Sequence, residues 1–290
     1  MSVASKVQVI DDLPAFDYHA MIDRISNSML GEAEDSIELF HGRFVTRTIP
    51  LKKQTPDMLF GNLFHDSLLL GIDNQAVLVP VEVLDAGGKR NGGKFKEWAL
   101  QNSGKVVLVH DEWDRLRRMV DAVSEHPLAG SLLNKDDAVM EQSILWEDEP
   151  TGLKLKSRLD CRRLSIPLII DLKTVRDISY KGLAKSVYEF GYARQCAFYK
   201  GAAEAAFGYR HDFIFIAVEK EAPYRVRCFD LNERAMQRGW EDFRGGLDRL
   251  AECFCHDDWH SRGWDEVVSL DLPNWAYTDQ WELEDNGDGN

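Results

Sequence analysis

Asp160, Asp171 and Lys173 combine residue types and spacing that could do chemistry. Asp171 follows the apolar run IPLII at residues 166–170, and the chain continues as DLKT. A charge at the end of a buried run is costly unless something is bound to it. Side chains alternate along a strand, so Asp171 and Lys173 share a face while Leu172 points away. If Asp160 and Asp171 end neighbouring strands, their carboxylates converge and repel unless a divalent cation lies between them, a role that suits Mg²⁺. The Leu172 carbonyl would lie near enough to add a third oxygen. The Lys173 ammonium could then hold an attacking water or stabilise charge building on a phosphate. The pattern points to metal-dependent phosphodiester cleavage. The plain alternative is a pair of structural acids salt-bridged to Arg158, Arg162 or Lys173, which a lone DxK tripeptide would favour.

Other residues could join this group. His65 lies in the apolar stretch FGNLFHD. A lone His there usually packs or caps, but beside the acids it becomes a candidate nitrogen ligand. Gln195 and Tyr199 stand four apart on a helix and share a face. Core packing accounts for Tyr199 better than for the amide of Gln195. Glu141 and Ser143 alternate on a strand before a hairpin, where a surface role competes with an accessory one. Ser26 or Ser28 can cap the helix that begins near SNSMLGEAE.

The elements that must position these residues follow from changes in period. Residues 1–50 read as an irregular lead-in up to that helix. Residues 56–71 have helical apolar spacing, residues 85–95 form a glycine-rich basic loop, and residues 109–127 form an amphipathic helix stopped near Pro127. The segment 140–163 then reads as strand, turn at EPTG, strand. IPLIIDLKT is a third strand, apolar and therefore central. One long helix is expected over 178–208, followed by strands at DFIFIAVEK and YRVRCFDL and a closing helix over 232–254. This order predicts an α/β fold, a mixed sheet flanked by helices. The expected division is a domain over 1–260 and an acidic, Trp-containing tail over 261–290.

The chain has 290 residues, 44% hydrophobic and 29% charged, with a mean hydropathy of −0.35. That is ordinary globular composition. No apolar run approaches the roughly 18 to 20 residues that span a bilayer, and the first residues, MSVASKVQVIDDLPAF, contain no signal-peptide core. Five cysteines at irregular spacing lack CxxC pairs, which points to reduced, structural thiols. The net charge of −14 is unevenly spread. Residues 151–200 hold eleven Lys/Arg against four Asp/Glu, whereas residues 241–290 hold three against fourteen. A basic field around DLKT within an acidic chain is compatible with a DNA channel, and equally with a solvated basic face.

The motifs GNLFH, EQSILWED, PTGLKLKSRLD, IIDLKT, GYARQCAFY and FIFIAVEKEAPYRV occur in that order. Together they resemble the RecE-like (exodeoxyribonuclease VIII) phage-type exonucleases of the PD-(D/E)xK nuclease superfamily. The resemblance runs from Tyr18 to near Leu250, and implies a restriction-endonuclease-like core with a mixed central β-sheet flanked by helices. It implies His65, Asp160, Asp171 and the Leu172 carbonyl as metal ligands and Lys173 as the catalytic lysine. Gln195 and Tyr199 resemble the family's QxxxY motif beside the active site. RISNSML resembles the family's N-terminal ISxS segment, which implies that Arg24, Ser26 and Ser28 hold a 5′ phosphate.

The implied activity is Mg²⁺-dependent 5′→3′ digestion of linear double-stranded DNA, with Mn²⁺ substituting, leaving 3′ single-stranded tails. The implied partners are double-stranded DNA ends, a RecT/Bet-type annealing protein and further copies of the chain in a ring of three or four. No membrane is implied, and the setting is the cytoplasm of a bacterial host with a phage or prophage gene. Two alternatives stand beside it. One is a RecB-like nuclease or a relative with different polarity or single-strand preference; the lack of a four-cysteine cluster speaks against its iron–sulfur members. The other is a catalytically silent DNA-binding descendant, against which the intact His65, Asp160, Asp171 and Lys173 speak.

Overall fold

The computed structural model describes residues 7–71, 76–261 and 267–272. By internal contacts the chain divides into two units, Met1–Trp259 and His260–Asn290. The described residues of the second unit form neither helix nor strand. Most of the expected acidic tail, with Trp264, Trp275 and Trp281, lies outside the described residues.

In chain order the first unit contains β1 (Val7–Ile10), α1 (Ala15–Ala20), α2 (Asn27–Asp35) and α3 (Ile37–Phe40). Next come α4 (Pro56–His65), β2 (Ala76–Leu78), α5 (Gly92–Gln101), β3 (Val106–Leu108), α6 (His110–Glu125) and α7 (Pro127–Leu132). The hairpin β4 (Ala138–Glu147) and β5 (Lys154–Arg163) leads to β6 (Leu168–Val175). The chain ends its regular structure with α8 (Tyr180–Glu189), α9 (Tyr192–Phe207), β7 (Asp212–Glu219), β8 (Val226–Phe229) and α10 (Glu233–His256). Six strands form one mixed sheet in the order β1-β4-β5-β6-β7-β8, with only β6 and β7 parallel; β2 and β3 form a separate parallel pair. This is the expected α/β class, with β6 central.

Alternation along the central strands divides the core. Ile169, Phe213 and Phe215 face a layer built from α2, α9 and α10, with Leu30, Phe198, Phe243 and Leu247. Ile170, Leu172, Ile216 and Val218 face the opposite layer, with Phe60, Leu63 and Phe64 of α4 and Leu116, Met119 and Val123 of α6. Each fully buried side chain of this size contributes roughly 1.5–3 kcal/mol relative to exposure. Both faces of β6 are therefore covered, as its uninterrupted apolar run requires. Among the described residues, no helix is long and apolar enough to cross a membrane. All five cysteines are free thiols.

Three expectations change. The lead-in contains β1, which pairs antiparallel with β4 at the sheet edge, and, besides the expected α2, the short helices α1 and α3 and a π-helical turn over His41–Val45. Pro127 does not merely stop a helix: it opens α7, whose Ala129 N–H is capped by His126 Nδ1 at 3.1 Å. The long helix over 178–208 is two helices, because Gly191 adopts φ 62°. A left-handed glycine ends α8 and lets α9 leave in a new direction.

The close approach of α9 and α10 sets where Gln195 points. A Cβ on Gly239 of α10 would lie 2.2 Å from the Ala193 carbonyl oxygen of α9, whereas one on Gly245 would meet nothing within 4 Å. Gly239→Ala should therefore destabilise the fold by about 1–3 kcal/mol. Gly245→Ala, in the same helix, should stabilise it by about 0.5–1 kcal/mol. Urea denaturation at constant slope checks both. Equal midpoints for the two variants would contradict the packing described.

Candidate metal centre

The site begins where two strands part. β5 and β6 pair only at Cys161↔Ile170 and Arg162↔Ile169. The next pair in that register would be Asp160 opposite Asp171, and it does not form. Instead the Asp160 carboxylate accepts the Leu172 N–H at 2.7 Å through Oδ2. The vacated edge of β5 takes Ile25 as a short parallel partner, through Ile25 N–H to the Lys154 carbonyl at 2.9 Å and Lys156 N–H to the Ile25 carbonyl at 3.0 Å. β6 meanwhile stays paired with β7 as far as Val175↔Glu219. The acids thus lie within their strands and not at the strand ends, as the sequence suggested. The apolar run is followed by a charge because one edge of the sheet opens there while the other stays closed.

A half-turn in β4 completes the opening. Ala138 and Met140 pack toward the α4/α6 layer, whereas Ile144 and Trp146 pack toward α9 and α10. These residues share one parity, so the strand rotates between them. Glu141 sits at that rotation with φ 52°. A left-handed non-glycine residue costs on the order of 1–3 kcal/mol and persists only where its surroundings impose it. The result is that Glu141 meets His65 of α4 and Asp160 of β5, with one ligand-capable atom from each all within 4.8 Å of one another.

His65 Nδ1 lies 3.4 Å from Asp160 Oδ2, and the ring also hydrogen-bonds the Leu172 backbone. Burial, reinforced by the Lys173 charge, lowers the His65 pKa to about 4, so the ring is neutral at ordinary pH and available as a ligand. Asp171 faces the α9 side, opposite to Leu172. Its Oδ1 accepts from Gln195 Nε2 at 3.1 Å, and its Oδ2 forms an ion pair with Lys173. Among the described residues Asp171 is not one of the three that converge within 4.8 Å; Glu141 takes that place.

The charges show what is missing. Burial raises both Asp160 and Asp171 to about 6, and burial together with the Asp160 charge raises Glu141 to about 8. Lys173 is pulled down by burial, but Asp171 and Asp160 more than offset this, and its pKa is raised. Lys173 and Arg158, the latter 3.8 Å from Glu141, therefore face three crowded acids, to which the Asp66 charge adds. Buried carboxylates with raised pKa values beside a neutral imidazole fit a hard divalent cation, which would restore all three acids to the ionised form. His65, Glu141 and Asp160 would hold it, with Asp171 and the Leu172 carbonyl beside them.

The structural-acid alternative is met in part, since Asp171 pairs with Lys173, whereas Asp160 lies against His65 and neither arginine turns to it. Arg158 turns instead to Ser143, with Nε to Oγ 3.1 Å, to the Leu13 carbonyl and to Glu141 at 3.8 Å, while Arg162 donates to Gln142. Arg158 thus acts as the brace of Glu141, a role the sequence reading missed although LKLKSRLD places it on the same strand face as Asp160. Tyr192 was missed too: its ring lies under Lys173, with Nζ 4.7 Å from the centroid. Tyr199 hydrogen-bonds Gln195, and burial raises its pKa well above 10. Ser143 is buried as the Arg158 partner.

The N-terminal trio is held by its own local contacts. Ser26 caps α2, its Oγ accepting from Met29 N–H at 3.4 Å and lying 3.0 Å from Ser28 Oγ. Ile25, between Arg24 and Ser26, docks on the part of β5 that leads to Asp160.

In the cation-free protein the raised acids hold protons to higher pH than in the unfolded chain. Their stabilisation is present at low pH and is lost as pH rises through about 6 for the aspartates and about 8 for Glu141. His65 acts oppositely, but only between about 4 and its ordinary 6.5. The urea midpoint in EDTA should therefore fall from pH 6.5 to 8, and saturating Mg²⁺ or Mn²⁺ should remove the fall. A flat profile in EDTA that the cation leaves unmoved would contradict this.

Residues 41–264 match the family described as "PDDEXK-like domain of unknown function (DUF3799)". Among solved structures, a "putative exonuclease" from Eubacterium rectale superposes with a TM-score of 0.58 at 13% identity, covering 93% of this chain and 99% of that one. At that identity the likeness is one of fold. SSO0001 covers 67% of this chain and 88% of its own at 16% identity, with a TM-score of 0.29, too low to bear on the fold. No curated protein matches the sequence. The chain carries the sheet opening and the acid–lysine cluster within the matched span, and it belongs to the PDDEXK-like family.

Proposed function

We propose that the protein is a Mg²⁺-dependent 5′→3′ exodeoxyribonuclease acting on linear double-stranded DNA. The observation that carries this reading is the convergence of His65, Glu141 and Asp160 beside the Asp171–Lys173 ion pair. The chemistry a divalent cation supplies when bound in such a site is Lewis-acid stabilisation of charge on the scissile phosphate. The oxygen-rich donor set suits Mg²⁺, with Mn²⁺ as a substitute.

Lys173 is protonated and held in place by Asp171 and the Tyr192 ring. It therefore serves as a preorganised positive donor toward the attacking water or the phosphate, and not as a base. Gln195 fixes the Asp171 carboxylate from α9, and Tyr199 fixes Gln195. His65 stays neutral and cannot repel a cation. Arg24, Ser26 and Ser28 would receive the 5′-terminal phosphate, with the Ser26 hydroxyl already engaged as a helix cap. The wider setting is a ring of three or four copies in a phage- or prophage-carrying bacterial cell. There the 3′ single strands would pass to a RecT/Bet-type annealing protein.

End-labelled linear duplex tests the reading. Mg²⁺ should release 5′ label before 3′ label, and EDTA should stop the reaction. Asp160→Ala and Asp171→Ala should abolish cleavage. Lys173→Ala should slow it by about 10² or more while Mn²⁺ binding, read by electron paramagnetic resonance, persists. Full activity in EDTA or in Asp171→Ala would overturn the proposal, and early loss of 3′ label would overturn its polarity.

A further inference from the structure

The helix that follows the lysine strand carries a face that the centre itself does not use. Tyr180 is 82% exposed, Tyr188 88%, and Phe190, just past the end of α8, 64%. Residues 180, 184 and 188 form one stripe at i, i+4 spacing, with Lys181 and Lys185 alongside. The helix is anchored beside that stripe by Leu183, which packs with Ile178, Val175 and Ala217. Large exposed aromatic rings are unfavourable in water and are retained where they meet a partner.

Phe190, just past this helix, is joined to the centre. Phe190 stacks on Tyr192, with centroids 5.8 Å apart and planes at 28°, and Tyr192 is the ring beneath Lys173. A ladder of rings thus runs from solvent to the ammonium beside Asp171. We propose that the outer face of α8, with Phe190, is a base-stacking platform for single-stranded DNA at the mouth of the metal centre. The proposal rests on the nuclease reading for its biological sense, but it concerns a separate surface.

Two features select this occupant. Lys181 and Lys185 lie between Tyr180 and Tyr188, so base faces and backbone phosphates are both provided for, as in sequence-tolerant single-strand binding. The stripe carries no aliphatic side chain larger than Ala184, whereas a subunit interface core would be expected to bury more aliphatic surface. A duplex hides its base faces and could meet only the lysines. Lys185 also pairs with Glu189 at 3.4 Å, on the exposed side of the helix, so Lys181 is the less encumbered of the two.

The test uses the intact chain in EDTA, where cleavage stops, with fluorescein-labelled oligothymidylate and a blunt duplex as anisotropy probes. The triple variant Tyr180→Ala/Tyr188→Ala/Phe190→Ala should bind oligothymidylate about 10²-fold or more weakly, at about tenfold per lost stacking ring. Its duplex affinity should change by less than about threefold on the same reasoning. The conservative variant Tyr180→Phe/Tyr188→Phe, which keeps both rings, should bind like wild type. Unchanged oligothymidylate affinity in the triple variant, or no binding by wild type, would overturn the platform. So would a triple variant that sediments as a smaller species, since the face would then be a contact between copies. Cleavage of labelled duplex in Mg²⁺ is scored separately. Its absence in wild type sinks the nuclease reading and leaves the platform to be judged by binding alone.

Discussion

The hydrogen bond from Leu172 N–H to the Asp160 carboxylate replaces a backbone ladder bond, and the rest of the site depends on that replacement. A sheet that continued through Asp160 and Asp171 would bring two carboxylates together with no room for anything between them. By accepting the N–H itself, Asp160 satisfies the donor that the broken ladder would leave buried. β5 and β6 can then part without an unsatisfied backbone group at this point. The freed edge of β5 is not left bare either, because Ile25 pairs with it and brings the start of α2 alongside. β7 keeps β6 straight, so the gap opens on one side only.

What enters the gap is decided by the layers on either face. α4 delivers His65 from one side, and α9 delivers Gln195 to Asp171 from the other. Arg194, next to Gln195, ties α9 to α2 through Asn27 at 3.1 Å and through Glu34. The helix that aims Gln195 is therefore coupled to the segment docked on β5. Packing also explains why Lys173 can be buried. It lies against Tyr192 and the Asp171 carboxylate, and a desolvated ammonium needs both. Lys173 and Arg158 face Asp171, Asp160 and Glu141, yet all three acids stay above their ordinary pKa, which a divalent cation between them would reverse.

Some of this was legible in the sequence because strand period is rigid. Asp171 and Lys173 share a face, Leu172 opposes them, and the EPTG turn closes the hairpin, since Asp148 accepts from the Thr151 hydroxyl at 2.6 Å and Gly152 takes φ 70°. His65 joined the acids as its place on an apolar helix allowed. The share of Glu141 in the centre was legible only as an accessory role competing with a surface one. Alternation counted from Ile144 and alternation counted from Met140 put it on opposite faces, and the left-handed backbone at Glu141 marks where the strand rotates between them. The break at Gly191 was hidden because the apolar spacing continues through it. β1 was hidden because an edge strand of four residues, with Val9 exposed, shows little alternation.

The central claim is that the parted strands form a divalent-cation site built from His65, Glu141 and Asp160. Anomalous diffraction from crystals of the intact protein grown with Mn²⁺ tests it most directly. The account predicts one strong manganese peak in contact with those three side chains, beside Asp171 and the Leu172 carbonyl. A manganese peak elsewhere, with the Asp160 and Glu141 carboxylates left without a cation, would contradict it.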